Sequence, residues 1–376
     1  SGSNLQSVQM VDLDGDGSEE AVAFFRRASD EKPMKIYIFK ADGDSYEQYA
    51  VIEGTSASIY SINYADLDGD GRRELLVGYK SSSDVQGFAV YPLQRGTPEA
   101  LLVTGYSRYA NLDLDGDGKQ ELLIIYSNAE SAACVDLYGW DGQTLRVQSS
   151  LRLSMAVAEL SRLSAGTLAG GEGALFVTGV TADNMTVTDV LALRDGRLQN
   201  AALGPGGNQI PAASAFLGLY PCDTNNDGVT EVPDSRALRN LDEEHSALYC
   251  AVWRQYSAEG ETNDVCSCFH DVPDGWSLTL PEEWEISSLA AERSAGTEET
   301  SVSFYRIDEG GAAERLLTVY RFTGEAREEL ASADGRFTLA RQVEATYAAE
   351  LGKTWGAALD EASLRDRFSL IVAEWT

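Results

Sequence analysis

Short apolar runs recur along this chain, and each ends in a turn that contains glycine. Ile36-Tyr-Ile-Phe39 runs into Asp42-Gly43, Phe88-Ala-Val-Tyr91 into Arg95-Gly96, and Val135-Asp-Leu-Tyr138 into Asp141-Gly142. Val190-Leu-Ala-Leu193 before Asp195-Gly196 and Leu248-Tyr-Cys-Ala-Val-Trp253 before Glu259-Gly260 complete the set. Segments rich in β-branched and aromatic residues that end in such turns predict hairpins. Five markers imply five units.

A second pattern shares this period. Asp12-Leu-Asp14-Gly-Asp16-Gly-Ser18-Glu-Glu20 returns as Asp66-Leu-Asp68-Gly-Asp70-Gly-Arg72-Arg-Glu74 and Asp113-Leu-Asp115-Gly-Asp117-Gly-Lys119-Gln-Glu121. A looser copy is Asp223-Thr-Asn225-Asn-Asp227-Gly-Val229-Thr-Glu231. The starts lie 54, 47 and 110 residues apart, so a further copy is expected midway through the last gap. Gly166-Thr-Leu-Ala-Gly-Gly-Glu-Gly-Ala-Leu-Phe-Val177 sits there and aligns without gaps on Asp66 to Val77, but every aspartate is lost. Gly166, Leu168 and Gly170 then stand where ligands stood, and no metal is expected in this fourth loop.

Each unit has room for about four short strands, the pattern of a propeller blade. One strand follows the Asp loop, two form the hairpin, and one leads into the next loop, as Ile59–Tyr64 does. The expected fold is mainly β: a five-bladed β-propeller over residues 5–271, followed by a small α+β domain over 272–376. The N-terminal Leu5–Val11 resembles a lead-in strand and is expected to complete blade five.

The loops predict calcium. This hard cation takes six to eight oxygens at about 2.3–2.6 Å. A tight loop places side chains 1, 3 and 5, the carbonyl of residue 7 and the carboxylate at 9 around one point. The predicted ligands are Asp12, Asp14, Asp16, Ser18 and Glu20; Asp66, Asp68, Asp70, Arg72 and Glu74; Asp113, Asp115, Asp117, Lys119 and Glu121; and Asp223, Asn225, Asp227, Val229 and Glu231. At Ser18, Arg72, Lys119 and Val229 only backbone oxygen is required, so the side chain is free to vary. Glycines at positions 4 and 6 let the backbone wrap. The bland alternative is a solvated Asp-Gly turn, which four matched copies argue against. An EF-hand is excluded because its closing acid lies at position 12 and helices flank it. Three or four Ca²⁺ per chain are expected.

Charge agrees with this reading. The 376 residues carry 60 acids against 29 Lys and Arg, a net −31, which argues against nucleic acid and anionic membrane surfaces as partners. No apolar run approaches the roughly 18 residues of a membrane span. Ser1-Gly2-Ser3 reads as a non-native start, leaving an export signal and a membrane anchor as expectations for the native chain. Five cysteines, Cys134, Cys222, Cys250, Cys266 and Cys268, match no zinc spacing. A bridge from Cys250 to Cys266 or Cys268 is one reading for an exported protein.

The loops resemble the FG-GAP (or VCBS) repeats of integrin-like propellers and bacterial surface proteins, over roughly residues 5 to 271. The resemblance implies a calcium-stabilised propeller outside the cytoplasm, at the cell surface and of the lipoprotein type, that serves as a binding platform. Its sites are structural and fix blade junctions.

Beyond His270 the Asp loops stop. Strands are expected at 301–305, 315–321, 336–339 and 345–349, with a helix at 325–332 capped by Thr323 and stopped by Gly335. A final helix from Asp360 puts Leu364, Phe368, Ile371 and Trp375 on one face. The opening Gly275-Trp-Ser-Leu-Thr-Leu-Pro-Glu-Glu-Trp284 is similar to the start of PsbP-like α/β sandwiches, with Trp276 and Trp284 read as core.

The two histidines are His245 and His270. Cys266-Ser-Cys268-Phe-His270 places two thiols and an imidazole on one strand face, read chiefly as packing. No GxSxG, HExxH or phosphate loop is present. The expected function is a non-enzymatic, monomeric binding protein for a protein or glycan ligand. The alternative is a carboxylate-based hydrolase or lyase in the propeller channel, which acids and aromatics gathered away from the metal loops would favour.

Overall fold

In the computed structural model, strands built from these apolar runs pair into six antiparallel sheets of four or five strands among the described residues. The structure describes residues 8–371 apart from 28, 44, 55–57, 81–85, 183, 207–212, 215–217, 242–246, 334 and 354–359. His245, Trp375 and the first residues of the Leu5–Val11 segment lie outside the described set.

Sheet one runs β1 (Val8–Val11), β2 (Glu20–Arg26), β3 (Met34–Asp42), β4 (Ser45–Gly54) in spatial order. Sheet two repeats it with β5 (Ser58–Ala65), β6 (Glu74–Lys80), β7 (Gln86–Tyr91) and β8 (Leu102–Gly105). Sheet three does so with β9 (Arg108–Leu112), β10 (Glu121–Ser127), β11 (Ala133–Trp140) and β12 (Leu145–Arg152). Sheet four contains β13 (Leu160–Thr167), β14 (Gly173–Val180), β15 (Thr186–Arg194) and β16 (Arg197–Asn200), with β17 (Ala213–Ser214) added on β15.

Sheet five contains β18 (Val232–Ala237), β19 (Tyr249–Tyr256), β20 (Thr262–Asp271) and β21 (Trp276–Thr279). Sheet six contains β22 (Leu289–Ala295), β23 (Glu299–Ile307), β24 (Ala313–Phe322), β25 (Arg336–Arg341) and β26 (Thr346–Leu351). Helices α1 (Arg327–Ala331) and α2 (Glu361–Arg367) are short. The last strand, β27 (Phe368–Leu370), returns to pair with β21.

The chain divides into two compact units. One comprises 1–179, 188–211 and 257–261; the other comprises 180–187, 212–256 and 262–376. In the first, β6 buries both faces. Leu75 and Val77 join Leu13, Val22, Ile36 and Ile62 on one side, and Leu76 joins Leu67, Phe88, Leu122 and Ile124 on the other. A strand covered on both sides must be apolar throughout, which is why Glu74-Leu-Leu-Val-Gly-Tyr79 does not alternate. In the second unit, Phe269, Trp276, Phe304, Tyr347, Leu364 and Phe368 share one core.

Four expectations need correction. The lead-in strands pair with the strand after their own loop, as β5 does with β6, and so open a sheet instead of completing the previous one. Accordingly β1 pairs with β2, and sheet five is extended by β21 and β27 instead. The division expected at 271/272 falls between β20 and β21, which pair through His270 and Ser277. The final helix ends at Arg367, and Phe368 to Leu370 form a strand whose backbone completes β21. Finally, α1 starts after Ala326 without a side-chain cap, while Thr323 donates to the Glu298 carbonyl at 3.4 Å.

Candidate metal centres

The first three Asp loops each join the first and second strands of one sheet, and the one at 223–231 leads into β18 and is closed by an isolated bridge. The residue before position 1 pairs with the glutamate at position 9: Val11 with Glu20, Ala65 with Glu74, Leu112 with Glu121 and Cys222 with Glu231. That pairing fixes the closing carboxylate at the start of a strand and across from the opening aspartate.

Inside the loops the carboxylates fold the backbone. Asp66 accepts the N–H groups of Gly69 at 2.7 Å and Gly71 at 3.0 Å, one on each oxygen. Asp12 and Asp113 do the same in their loops, and Asp223 takes Asp227 and Gly228. Asp68 accepts from Asp70, and Asp70 accepts from Arg72. Ser18, Lys119 and Val229 donate their N–H groups to Asp16, Asp117 and Asp227. The position-7 residues thus enter the loops through backbone whatever their side chain. Glu20, Glu74, Glu121 and Glu231 accept the N–H at position 2 at 2.7–2.9 Å.

This ladder demands left-handed backbone. Position 6 has φ near +85° at Gly17, Gly71, Gly118 and Gly228, and Asn226 supplies φ +60° at position 4 of the looser loop. Asparagine tolerates that region better than most residues, so the loop survives without its first glycine.

The remaining carboxylate oxygens converge. Donor atoms of Asp12, Asp14 and Glu20 lie within 4.8 Å of one another, as do those of Asp66, Asp68 and Asp70. Asp113, Asp115 and Glu121, and Asp223, Asp227 and Glu231, form the other two groups. Asp16, Glu74 and Asp117 stand outside these closest groups, although each is bonded within its loop.

Electrostatics marks these oxygens as under-compensated. Burial pushes the Glu74 and Glu121 carboxyls up to about 7, and the neighbouring aspartate charges add to the effect. Burial also raises Glu20 and Asp68. Asp14 is instead lowered, chiefly by its hydrogen bond with Lys40, whose ammonium also lies 3.9 Å from Glu20. The other oxygen of Asp14 is buried with no hydrogen-bond partner. An orphaned carboxylate oxygen, a lysine ammonium beside it and an all-oxygen donor set fit a hard divalent cation better than zinc.

The fourth loop departs further than its sequence suggested. Five residues, 168–172, separate the paired Thr167 and Gly173, where eight, 66–73, separate Ala65 and Glu74. Leu168 is fully buried, as Leu13, Leu67 and Leu114 are, so it takes the place of the position-2 leucine and not of a ligand. A gapless alignment hides this because the shortening falls among the glycines.

Successive loops of the first unit touch. Arg73 donates its backbone N–H to the Leu13 carbonyl at 2.7 Å, and Gln120 donates to the Asp66 carbonyl at 3.4 Å. Gly173 packs so closely on the third loop, the one before it, that a Cβ there would stand 2.2 Å from the Asp113 carbonyl oxygen.

All five cysteines are free. Cys268 accepts from the Trp253 indole at 3.2 Å, and Cys266 lies 3.9 Å from the Thr224 hydroxyl. Burial raises both thiols, which suits packing better than nucleophilic work. Sequence reasoning missed two residues that contact the loops, Lys40 and Gln255. Lys40 lies on β3 and Gln255 on β19, in each case the strand after the one that carries or follows the closing glutamate, far from the motif in sequence, and only strand register brings them in.

Residues 12–77 match the FG-GAP-like repeat family, from the first aspartate of loop one through the strand after loop two. No curated protein matches the chain significantly.

Proposed function

We propose, from the FG-GAP-like repeat at residues 12–77 and its further copies, that this chain is a calcium-stabilised β-propeller binding module that works outside the cytoplasm. Sheets one to five would be its blades, and the Asp loops its calcium sites. The carrying observation is the convergence of three carboxylates within 4.8 Å in each of four loops. Two unit charges at about 4 Å repel by roughly 4 kcal/mol at an effective dielectric near 20, which a divalent cation relieves.

Extracellular calcium is millimolar. Against a Kd of about 10⁻⁴ M it would stabilise each site by roughly 1–2 kcal/mol. Such a gain would make the sites structural and would suit a protein at a cell surface or beyond, with a lipid anchor on the native chain as part of the same proposal. The contacts between consecutive loops support a role in joining neighbouring sheets.

The ligand would be a protein or a glycan. Phe25, half exposed, stands edge-on to Tyr37 at 6.0 Å, and Tyr37 stacks on Phe39 at 6.1 Å. A surface aromatic ladder of this kind offers flat apolar faces to a sugar ring or a side chain.

Equilibrium dialysis against millimolar Ca²⁺ tests the metal reading. Three or four Ca²⁺ retained per chain are expected from the four groups, and none retained would overturn it.

A further inference from the structure

The residue that faces each closing glutamate across the sheet differs from loop to loop. Strand register places Lys40 opposite Glu20, because Ala21 pairs with Phe39. Gln255 lies opposite Glu231, because Val232 pairs with Arg254. In sheet two Leu75 pairs with Tyr91, which puts Pro92 opposite Glu74. In sheet three Leu122 pairs with Tyr138, which puts Gly139 opposite Glu121. Proline and glycine have no side-chain donor to offer.

The consequences are visible in the contacts. The Lys40 ammonium bonds Asp14, lies 3.9 Å from Glu20 and sits 4.9 Å over the Tyr49 ring. The Gln255 amide donates to Asp227 at 2.8 Å and to Glu231 at 2.7 Å. Among the described residues, loops two and three have no equivalent donor from across the sheet, although the Lys119 side chain lies over Gly69 of loop two. Lys119 approaches Asp117 at 3.7 Å, but it is half exposed and solvent screens it.

Charge follows the same division. At ligand positions 1, 3, 5 and 9 loop one has four carboxylates, Asp12, Asp14, Asp16 and Glu20, and one ammonium bonded among them, a net −3 that leaves out the exposed Glu19. At the same positions loops two and three carry four carboxylates each, −4, which leaves out the exposed Arg72, Arg73 and Lys119. Loop five has Asp223, Asp227 and Glu231, a net −3, with Asn225 in place of the fourth acid. Affinity for calcium in oxygen loops rises with ligand charge and with a site that is ready to receive the ion.

We infer that the four loops are unequal: loops two and three take the divalent cation first, loop five follows, and loop one is latched by Lys40 as an internal counter-cation. This rests on the calcium reading proposed above. To load loop one the ion must displace an ammonium already paired with Asp14. To load loop five it needs only the Gln255 amide to turn and present its oxygen. Lys40 and Gln255 are therefore the residues that set the order of filling. Such a chain would keep sheets two and three metal-braced at low calcium and recruit sheet one only at high calcium.

Isothermal titration of Ca²⁺ into the full chain tests this. The wild type should show two tight sites well separated from the rest, and Lys40→Met should convert a weak site into one at least tenfold tighter. Loop identity is checked on the otherwise unchanged chain. Asp68→Asn should remove one of the two tight sites, and Asp14→Asn should leave both. Four equal sites, or a Lys40→Met isotherm identical to the wild type, would overturn the ranking and leave the calcium reading standing. If Lys40→Met does not fold, loss of a tight site in Asp14→Asn would overturn it just as well. No heat and no bound Ca²⁺ in any variant would overturn both.

Discussion

Glu74 accepts the backbone N–H of Leu67 at 2.9 Å from a position that is 2 % exposed. Glu121 and Leu114 repeat the bond at 2.8 Å. Each carboxylate closes its loop, Glu74 buried and Glu121 half-buried. One hydrogen bond does not offset that burial, so both carboxyls rise to about 7 from the ordinary 4.5.

A pH dependence follows for the chain in EDTA. The folded value lies above the unfolded one, so the folded protein keeps protons that the unfolded chain has released. The stability from these two groups is full below about 4.5 and is lost as pH rises through about 7. Thermal midpoints in EDTA should therefore fall between about pH 5 and about pH 7.5. Glu74→Gln should flatten the fall, and millimolar Ca²⁺ should abolish it. A midpoint that rises over this range in EDTA would count against the buried state of Glu74.

Two glycines separate backbone strain from steric clash. Gly71 has φ +85° and open space where a Cβ would go, so Gly71→Ala should cost about 1 kcal/mol from conformation alone. At Gly173 a Cβ would stand 2.2 Å from the Asp113 carbonyl oxygen, so Gly173→Ala should cost about 3 kcal/mol. Urea denaturation of both variants measures the difference. Equal costs would mean that Gly173 does not pack on the third loop as described.

In the second unit the sharpest test is Arg293. Its guanidinium bonds both oxygens of Asp271 at 2.7 and 2.6 Å and one oxygen of Asp274 at 2.6 Å. Asp271 is 2 % exposed, so Arg293→Met should cost about 3–5 kcal/mol by stranding a buried charge. Adding Asp271→Asn should recover part of that loss. A single variant within 1 kcal/mol of wild type, on the scale expected of a surface pair, would contradict the burial.

Trp276 and Phe368 test the return of the chain to sheet five. Their rings stack at 5.9 Å, and Trp276 is 1 % exposed. Trp276→Ala should cost about 3–5 kcal/mol, and the double-mutant cycle with Phe368→Ala should show a coupling near 1 kcal/mol. Independent effects would mean that β27 does not lie on β21.

The five hairpins were legible because a hairpin is local: an apolar run such as Val135–Tyr138 and the turn Asp141-Gly142 declare it together. The loops were legible because they repeat. Sheet membership was not, since Ile59–Tyr64 contains nothing that says whether it pairs forward with β6 or backward. Phe368–Leu370 was hidden for a different reason. Three residues following a capped helix keep its apolar spacing, and only the open edge of β21 turns them into a strand. Lys40 and Gln255 were invisible because a residue's cross-strand partner depends on register, which no motif records.

The central claim is that the Asp loops hold calcium and that the fold leans on it. Calorimetric unfolding of the full chain, first in excess EDTA and then in millimolar Ca²⁺, tests it most directly. A large upward shift of the transition is predicted, of several degrees for each filled loop that unfolds with its sheet. Superimposable transitions would mean that the loops are acidic turns held by their own backbone bonds, and the calcium and extracellular readings would fall together.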